Sequence, residues 1–324
     1  MPSLKKPASQ TMGAVGTVRN FASVLREISF DEIRDEALKT ARILILAPDE
    51  QTGADLALDL TGLASAPGIT IRNTAERVED LDRYDAIVVY DPANLGAATR
   101  IRDRATRVAK PLPVVDISES GLTSADDARR VRELILKGNL DRAPAFGRAY
   151  PAFRQIAVKL LIDEASMANA QFALVSNIPS VIPIVGSLVS AGADFLVLTK
   201  NQLMLIYKIA AIHGRDLDNQ FNVLREMVPV VGAGLAWRTV AREAASFFPL
   251  MAGTIPKVII AYTGTAVAGR GMDFYYRFGK KPTKQQLSEY YRQAVETARN
   301  LPLSLPGRNG ASDKAPAEEE TSPS

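Results

Sequence analysis

The side chains best placed for chemistry in this sequence are two aspartates. Asp91 closes the apolar run DAIVVYD, and Asp116 closes LPVVD. Read as strands, these runs put both carboxylates at carboxyl-terminal strand ends, where open α/β sheets bind ligands. The competing use is local, since an aspartate there also caps the loop or helix that follows. An earlier run, RILILA, ends at Ala47, where a nucleotide fold sets its phosphate loop, and the chain continues Pro48-Asp49-Glu50-Gln51-Thr52-Gly53-Ala54. A phosphate loop needs glycines for close backbone approach, a lysine for the β and γ phosphates and a hydroxyl for magnesium. Here the lysine is missing, and Asp49 and Glu50 repel phosphate. The expectation is a head without triphosphate chemistry and without a cofactor, in which Asp91 and Asp116 are the candidates for holding any ligand.

The other reactive residue types exclude whole classes of function. The chain has no cysteine, which removes disulfides, iron–sulfur clusters and thiol nucleophiles. Its one histidine, His213, cannot build a histidine-rich metal site or a relay of several imidazoles. Set in IAAIHG just before Gly214, it suits the carbonyls of a helix C-terminus. Asp163 and Glu164 are adjacent on a helix and do not face each other, and no Gly-x-Ser-x-Gly elbow occurs. The reading is of a protein that is not an enzyme, with no catalytic residues and no metal site. Two polar residues stand apart. Asp194 lies inside the most apolar helical stretch, and Gln202 follows in helical register. A buried carboxylate must be paired, hydrogen-bonded or protonated. Asp194 and Gln202 are expected to hold helices together as a buried polar knot. The alternative is an intramembrane or interface residue with a functional role.

These residues need elements to position them. The spacing predicts strands over 42–47, 69–72, 85–91 and 112–116, alternating with helices over 52–63, 94–108 and 124–136. Ser124 caps the last of these helices, with Asp126 and Asp127 in its first turn. Nearly all-apolar strands alternating with helices argue for a parallel sheet covered on both faces. The fold class is therefore α/β plus all-α. Residues 1–40 read as a flexible arm and a helix (21–38), 41–137 as a Rossmann-like α/β domain, and 138–151 as a linker rich in Gly and Pro. Residues 152–301 read as an apolar helical domain and 302–324 as a disordered tail. Within the helical domain the pattern gives helices over 152–176, 186–213, 219–237, 237–248, 255–268 and 284–299.

Charge separates the halves. Residues 41–140 hold 13 basic against 16 acidic side chains, a net of −3, while residues 141–302 hold 18 against 11, a net of +7. Basic charge on the more apolar half suits an anionic lipid surface. No base-reading or stacking motif appears, so nucleic acid is not expected as a partner. The stretch Ile178–Leu198 has one charge, Asp194, and is long enough to cross a bilayer, which takes about 20 apolar residues. A second stretch, Ala244–Gly269, carries Lys257. As a hairpin of two spans they would put Lys200, Lys208, Arg215, Arg225, Arg238 and Arg242 outside, against the positive-inside tendency. Helices that insert partly, or pack together and dock on the bilayer, fit the charges better, and a compact soluble core is the remaining alternative, since core helices can be apolar all round.

The run IPSVIPIVGSLVSAGADFLVLTKNQLMLIYKIAAIHG resembles the core of an uncharacterised helical domain of unknown function, family 697, which is fused behind Era-like GTPase domains and occurs in YcjF-like inner-membrane proteins. The resemblance rests on Pro179 and Pro183, on Asp194, Gln202 and Met204, on Ile209-Ala210 before His213-Gly214, and on VPVVGAGLAW and GTIPKVIIAYTGTAVAG, and covers residues of about 150–300. It implies association with membranes and with GTPase domains, and carries over no catalytic residue. The head departs from a GTPase at its phosphate loop, and Val115-Asp116-Ile117-Ser118 stands where Asn-Lys-x-Asp would read guanine. The expected function is a membrane-associated, non-catalytic scaffold or regulator, at a membrane surface or the inner membrane, with the head cytoplasmic and room for a protein partner. The alternative is a nucleotide- or small-ligand-responsive switch with a degenerate GTPase-like head.

Overall fold

The computed structural model describes residues 30–175, 187–218, 223, 225, 226 and 254–301, with side chains described except at 187–196 and 254–256. Four short apolar runs form a parallel sheet: β1 (Ile43–Ala47), β2 (Ile69–Asn73), β3 (Ala86–Val89) and β4 (Val114–Asp116). Their order is β2-β1-β3-β4, with Ile43 opposite both Ile69 and Ala86, and Ile87 opposite Val114. β1 and β3 are buried at every residue because helices cover both faces of the sheet. On one face α2 (Glu50–Thr61) and α4 (Ala125–Gly138) bring Leu56, Leu60, Val131 and Ile135 to Ile43, Ile45 and Val88. On the other, α3 (Ala97–Ala105) brings Ala98 and Ile101 to Leu44, Leu46 and Val89. The alternation of strand side chains between faces divides these sets.

The remaining helices are α5 (Ala143–Ala149), α6 (Arg154–Val175), α7 (Ser187–Ile212), α8 (Thr254–Phe278) and α9 (Lys284–Arg299). The expected helix over 21–38 is described as α1 (Phe30–Leu38), and it belongs with this group. Its Phe30, Ile33 and Ala37 pack on Leu203, Ile206, Tyr207 and Ala210 of α7. α6 and α8 run antiparallel, Gln155 meeting Arg277 near one end and Asn169 meeting Thr265 further along. Their axes approach closely because small residues line the contact: a Cβ added to Gly269 would lie 2.6 Å from the Ile162 side chain. α8 runs ten residues past its expected stop at Ala268, so the glycines 269 and 271 lie inside a helix and not at its end, and Gly269 is a contact residue.

The stretch 138–151 is not a linker. It forms a 3-10 turn (Leu140–Arg142), then α5, then a second 3-10 turn at Pro151–Phe153. Phe146, Tyr150 and Phe153 lie in one buried aromatic cluster with ring centroids 5.2–6.1 Å apart. Pro144 and Pro151 sit in first turns, where a missing N–H costs nothing, so they start these helices and do not break the chain.

This segment ties together the amino ends of all four strands. Asn139 Nδ2 donates to the carbonyls of Asp85 (3.4 Å), before β3, and Pro111 (3.3 Å), before β4. Arg142, buried, donates to the carbonyls of Glu36, Lys39 and Thr40 and to the carboxylates of Glu36 (2.7 Å) and Asp85 (3.2 Å). Asp85 also accepts from the Arg42 N–H at 2.9 Å and from Lys110 at 3.2 Å. The Tyr150 hydroxyl donates to the Ala41 carbonyl at 2.6 Å, ahead of β1, and a Cβ at Gly68, ahead of β2, would collide with both groups. A single apolar core therefore runs from Ile43 and Val88 through Phe146 to Leu161, Ile209, Val258 and Ala298.

Among the described residues no helix is long and apolar enough to cross a membrane. The first parts of the stretches Ile178–Leu198 and Ala244–Gly269, the expected helix over 219–237 except residues 223, 225 and 226, the expected helix over 237–248, the arm at 1–18 and the tail from Pro302 lie outside the described residues.

Candidate functional site

The order of the sheet defines a crevice. After β1 the chain turns to α2 on one face, and after β3 it turns to α3 on the other, so the carboxyl ends of β1 and β3 part. Asp49 enters this crevice as the N-cap of α2. Its carboxylate accepts from the Thr52 N–H and the Thr52 hydroxyl, each at 2.8 Å. Those bonds hold the carboxyl below the usual aspartate range. A carboxylate thus occupies the helix terminus that would otherwise receive a phosphate.

The structure brings Asp91 and Asp116 together through one hydroxyl. The Asp91 N–H donates to Ser118 Oγ at 2.9 Å, and Ser118 Oγ donates to Asp116 Oδ1 at 2.6 Å. Asp116 also accepts from the Ser118 N–H (3.1 Å) and meets Arg102 at 3.4 Å. Asp91 is 4% exposed, and its Oδ2 accepts from the Ala97 N–H at the start of α3 (3.0 Å). Both aspartates therefore do local structural work. What remains is Asp91 Oδ1, which is buried without a hydrogen bond. A buried oxygen left in this state is costly and is a natural acceptor for a ligand donor or cation. Among the described residues no group of three or more His, Cys, Asp or Glu is arranged to hold a metal ion.

Gln202 takes part in a polar seam between three helices. Asn169 of α6 donates to Thr265 Oγ1 of α8 at 2.7 Å and accepts from Asn201 of α7 at 2.7 Å, and Gln202 donates to the same Thr265 oxygen at 3.2 Å. The Thr265 hydroxyl donates to the Ala261 carbonyl at 2.9 Å. The hydroxyls of Ser166 and Thr263 are buried on the same two helices, α6 and α8, without hydrogen bonds. Asp194 lies in α7, eight residues ahead of Gln202, and its side chain is outside the described residues.

A third arrangement was not legible in the sequence. His213 Nε2 lies 2.8 Å from Oδ1 of Asp273, sixty positions away on α8. The carboxylate accepts, so Nε2 carries the proton. Tyr276 packs on the imidazole with centroids 5.7 Å apart, and its hydroxyl is buried without a hydrogen bond. Burial raises the Tyr276 pKa, and Glu226 adds to the effect. Beside them is a pocket of about 560 Å³ lined by Gly214, Arg215, Asp216, Val223, Arg225, Glu226 and Tyr275. Arg215 pairs with Glu226 and lies over the Tyr276 ring at 5.6 Å. Among the described lining residues the charges of Arg215 and Arg225 balance those of Asp216 and Glu226, and none is a serine, threonine or cysteine. The imidazole–carboxylate pair thus fastens α7 to α8. The only signal for it in the sequence is an aspartate at helical spacing from the Tyr-Tyr pair, and a long separation hides its partner. No family model, curated protein or solved structure matches this chain.

Proposed function

We propose that this chain is a membrane-associated, non-catalytic scaffold or regulatory protein, with a Rossmann-like, degenerate GTPase-like head joined to a helical half that meets the bilayer. The observation that carries the reading is the α6–α7–α8 layer. Its helices are joined by close packing at Gly269 and by side-chain hydrogen bonds among Asn169, Asn201, Gln202 and Thr265. Close approach through small residues, with polar groups as interhelical links, is the packing used where helices meet lipid. The net charge of +7 over residues 141–302 supports the same reading. The non-catalytic part is supported by Asp49, which takes the phosphate position at α2. Fractionation of the native host followed by alkaline carbonate extraction tests it. The chain is expected in the membrane pellet before carbonate treatment, and recovery wholly in the soluble fraction rejects the reading.

One observation favours a second reading, a small-ligand-responsive switch: the unsatisfied Asp91 Oδ1 beside the β1–β3 crevice. A ligand presenting a donor there would stabilise the head. A melting-temperature screen with guanine and adenine nucleotides, dinucleotides and divalent cations decides it, and no shift at millimolar ligand removes this reading.

A further inference from the structure

We propose that the corner between α8 and α9 is the membrane-docking element of this chain, and that its partner is an anionic lipid bilayer. The inference rests on the membrane-associated reading above and names the surface and the lipid class. α8 ends at Phe278, and Gly279 turns the chain out of the helix in the left-handed region (φ 66°), its N–H returning to the Tyr275 carbonyl at 2.8 Å. This turn leaves Phe278, a large apolar side chain, 53% exposed at the tip. Around it stand Arg277, Lys280, Lys281 and Lys284, all exposed, and no acid occurs from Phe274 to Ser288. Lys280, Lys281 and Lys284 form no ion pair among the described residues, whereas exposed cations elsewhere on these helices, such as Lys159 and Arg292, pair with neighbouring acids.

The start of α9 adds to the positive potential. Its capping box is made by Thr283 and Gln286, so the positive end of the helix dipole carries no compensating carboxylate, and the first turn has Lys284. Asp273, one turn before the tip, is engaged by His213 at 2.8 Å and Arg277 at 3.6 Å. An exposed aromatic ringed by lysines that have no ion pair among the described residues matches the boundary of an anionic bilayer, where the ring sits at headgroup depth and each lysine adds attraction. A nucleic acid would also meet the lysines, but it would have to stack on a Phe278 ring that already has two neighbours. Its ring packs on Phe274 with centroids 4.6 Å apart, and Arg277 lies over it at 5.1 Å.

The test is flotation of the purified full-length chain with vesicles of phosphatidylcholine alone or mixed with phosphatidylserine. Wild type, Lys280→Glu/Lys281→Glu and Phe278→Ser are compared, and melting curves are recorded for all three. These side chains are exposed, so the melts should coincide. Wild type is expected to float with the mixed vesicles only. The charge-reversed variant should partition at least about tenfold more weakly, Phe278→Ser should bind several-fold more weakly, and salt should release the wild type. Equal flotation of wild type and both variants overturns the corner and leaves membrane association standing. Equal binding to neutral vesicles overturns the anionic partner. Failure of wild type to float with any vesicle removes the membrane reading and the corner together. A duplex oligonucleotide that displaces the vesicles, and that the charge-reversed variant no longer binds, reassigns the corner to nucleic acid.

Discussion

Arg142 shows how much one side chain can be asked to hold. Its five donated bonds satisfy three carbonyls and two carboxylates, and removing it leaves Asp85 buried with only Lys110 as a cationic partner. Arg142→Met should lower stability by about 3 kcal/mol in urea titration, because a buried charge loses its partner, and Arg142→Lys should not restore it, since an ammonium cannot span the same fork. The pH dependence has a defined sign. Burial pushes the Glu36 carboxyl up, but hydrogen bonds from Lys39 and Arg142 outweigh it and leave the pKa below the usual glutamate value of 4.5. A depressed carboxylate stabilises the fold above 4.5, and that contribution is lost as the pH falls below it. In Arg142→Met the loss of stability below pH 4.5 should be smaller than in wild type, as read from urea midpoints across that range. In the seam, Asn169→Leu strands the Asn201 amide and should cost about 1–3 kcal/mol; a neutral result would mean that water already serves these groups. Asp91 and Asp116 could be picked out in the sequence because each closes an apolar run, and Gln202 because it follows Asp194 in helical register. Asp273 could not, because it sits among half-buried aromatics and its partner is fixed only by the crossing of α7 and α8.

Elements were legible where hydrophobic period and local chemistry agree. Lys284–Arg299 has the bounds its pattern predicts, and Ser124 caps α4 by accepting from the Asp127 N–H at 3.1 Å. The four strands fall inside their predicted runs or within one residue of them. The differences share one physical cause: Gly and Pro read as punctuation, whereas here the glycines admit close contact and the prolines start helices. Gly147 admits Ile212, whose side chain would lie 2.9 Å from an added Cβ, so a glycine inside α5 records helix packing and not a loop. Gly269 does the same for Ile162. Gly269→Leu should therefore force α6 and α8 apart and cost about 1–3 kcal/mol by overpacking, measured by thermal melting; an unchanged melting temperature would show that the two helices slide freely. A seven-residue helix such as α5 spans too few turns for its period to stand out, which is why 138–151 read as a linker.

At the scale of the whole molecule, head and helices are expected to unfold together. The core is continuous through Phe146, Tyr150 and Phe153, so no boundary exists along which the sheet could separate with its apolar face covered. Hydrogen exchange followed along a urea titration should give coincident midpoints for amides of β1 and of α8. Two separated transitions would mean that the aromatic cluster is a contact between independent domains.

The clamp at 138–151 also has a mechanical consequence. It grips the sheet at the amino ends of all four strands, while at the carboxyl ends the strands run out into loops. The sheet is a cantilever, built in at one edge and free at the other. A load applied to the helices enters as shear across the roots of β1 and β3, where Arg142 and Asp85 meet, and the loops around Asp91 are carried along without bearing it. An event at the free edge would register at the helices through the stiffness of the sheet as a whole.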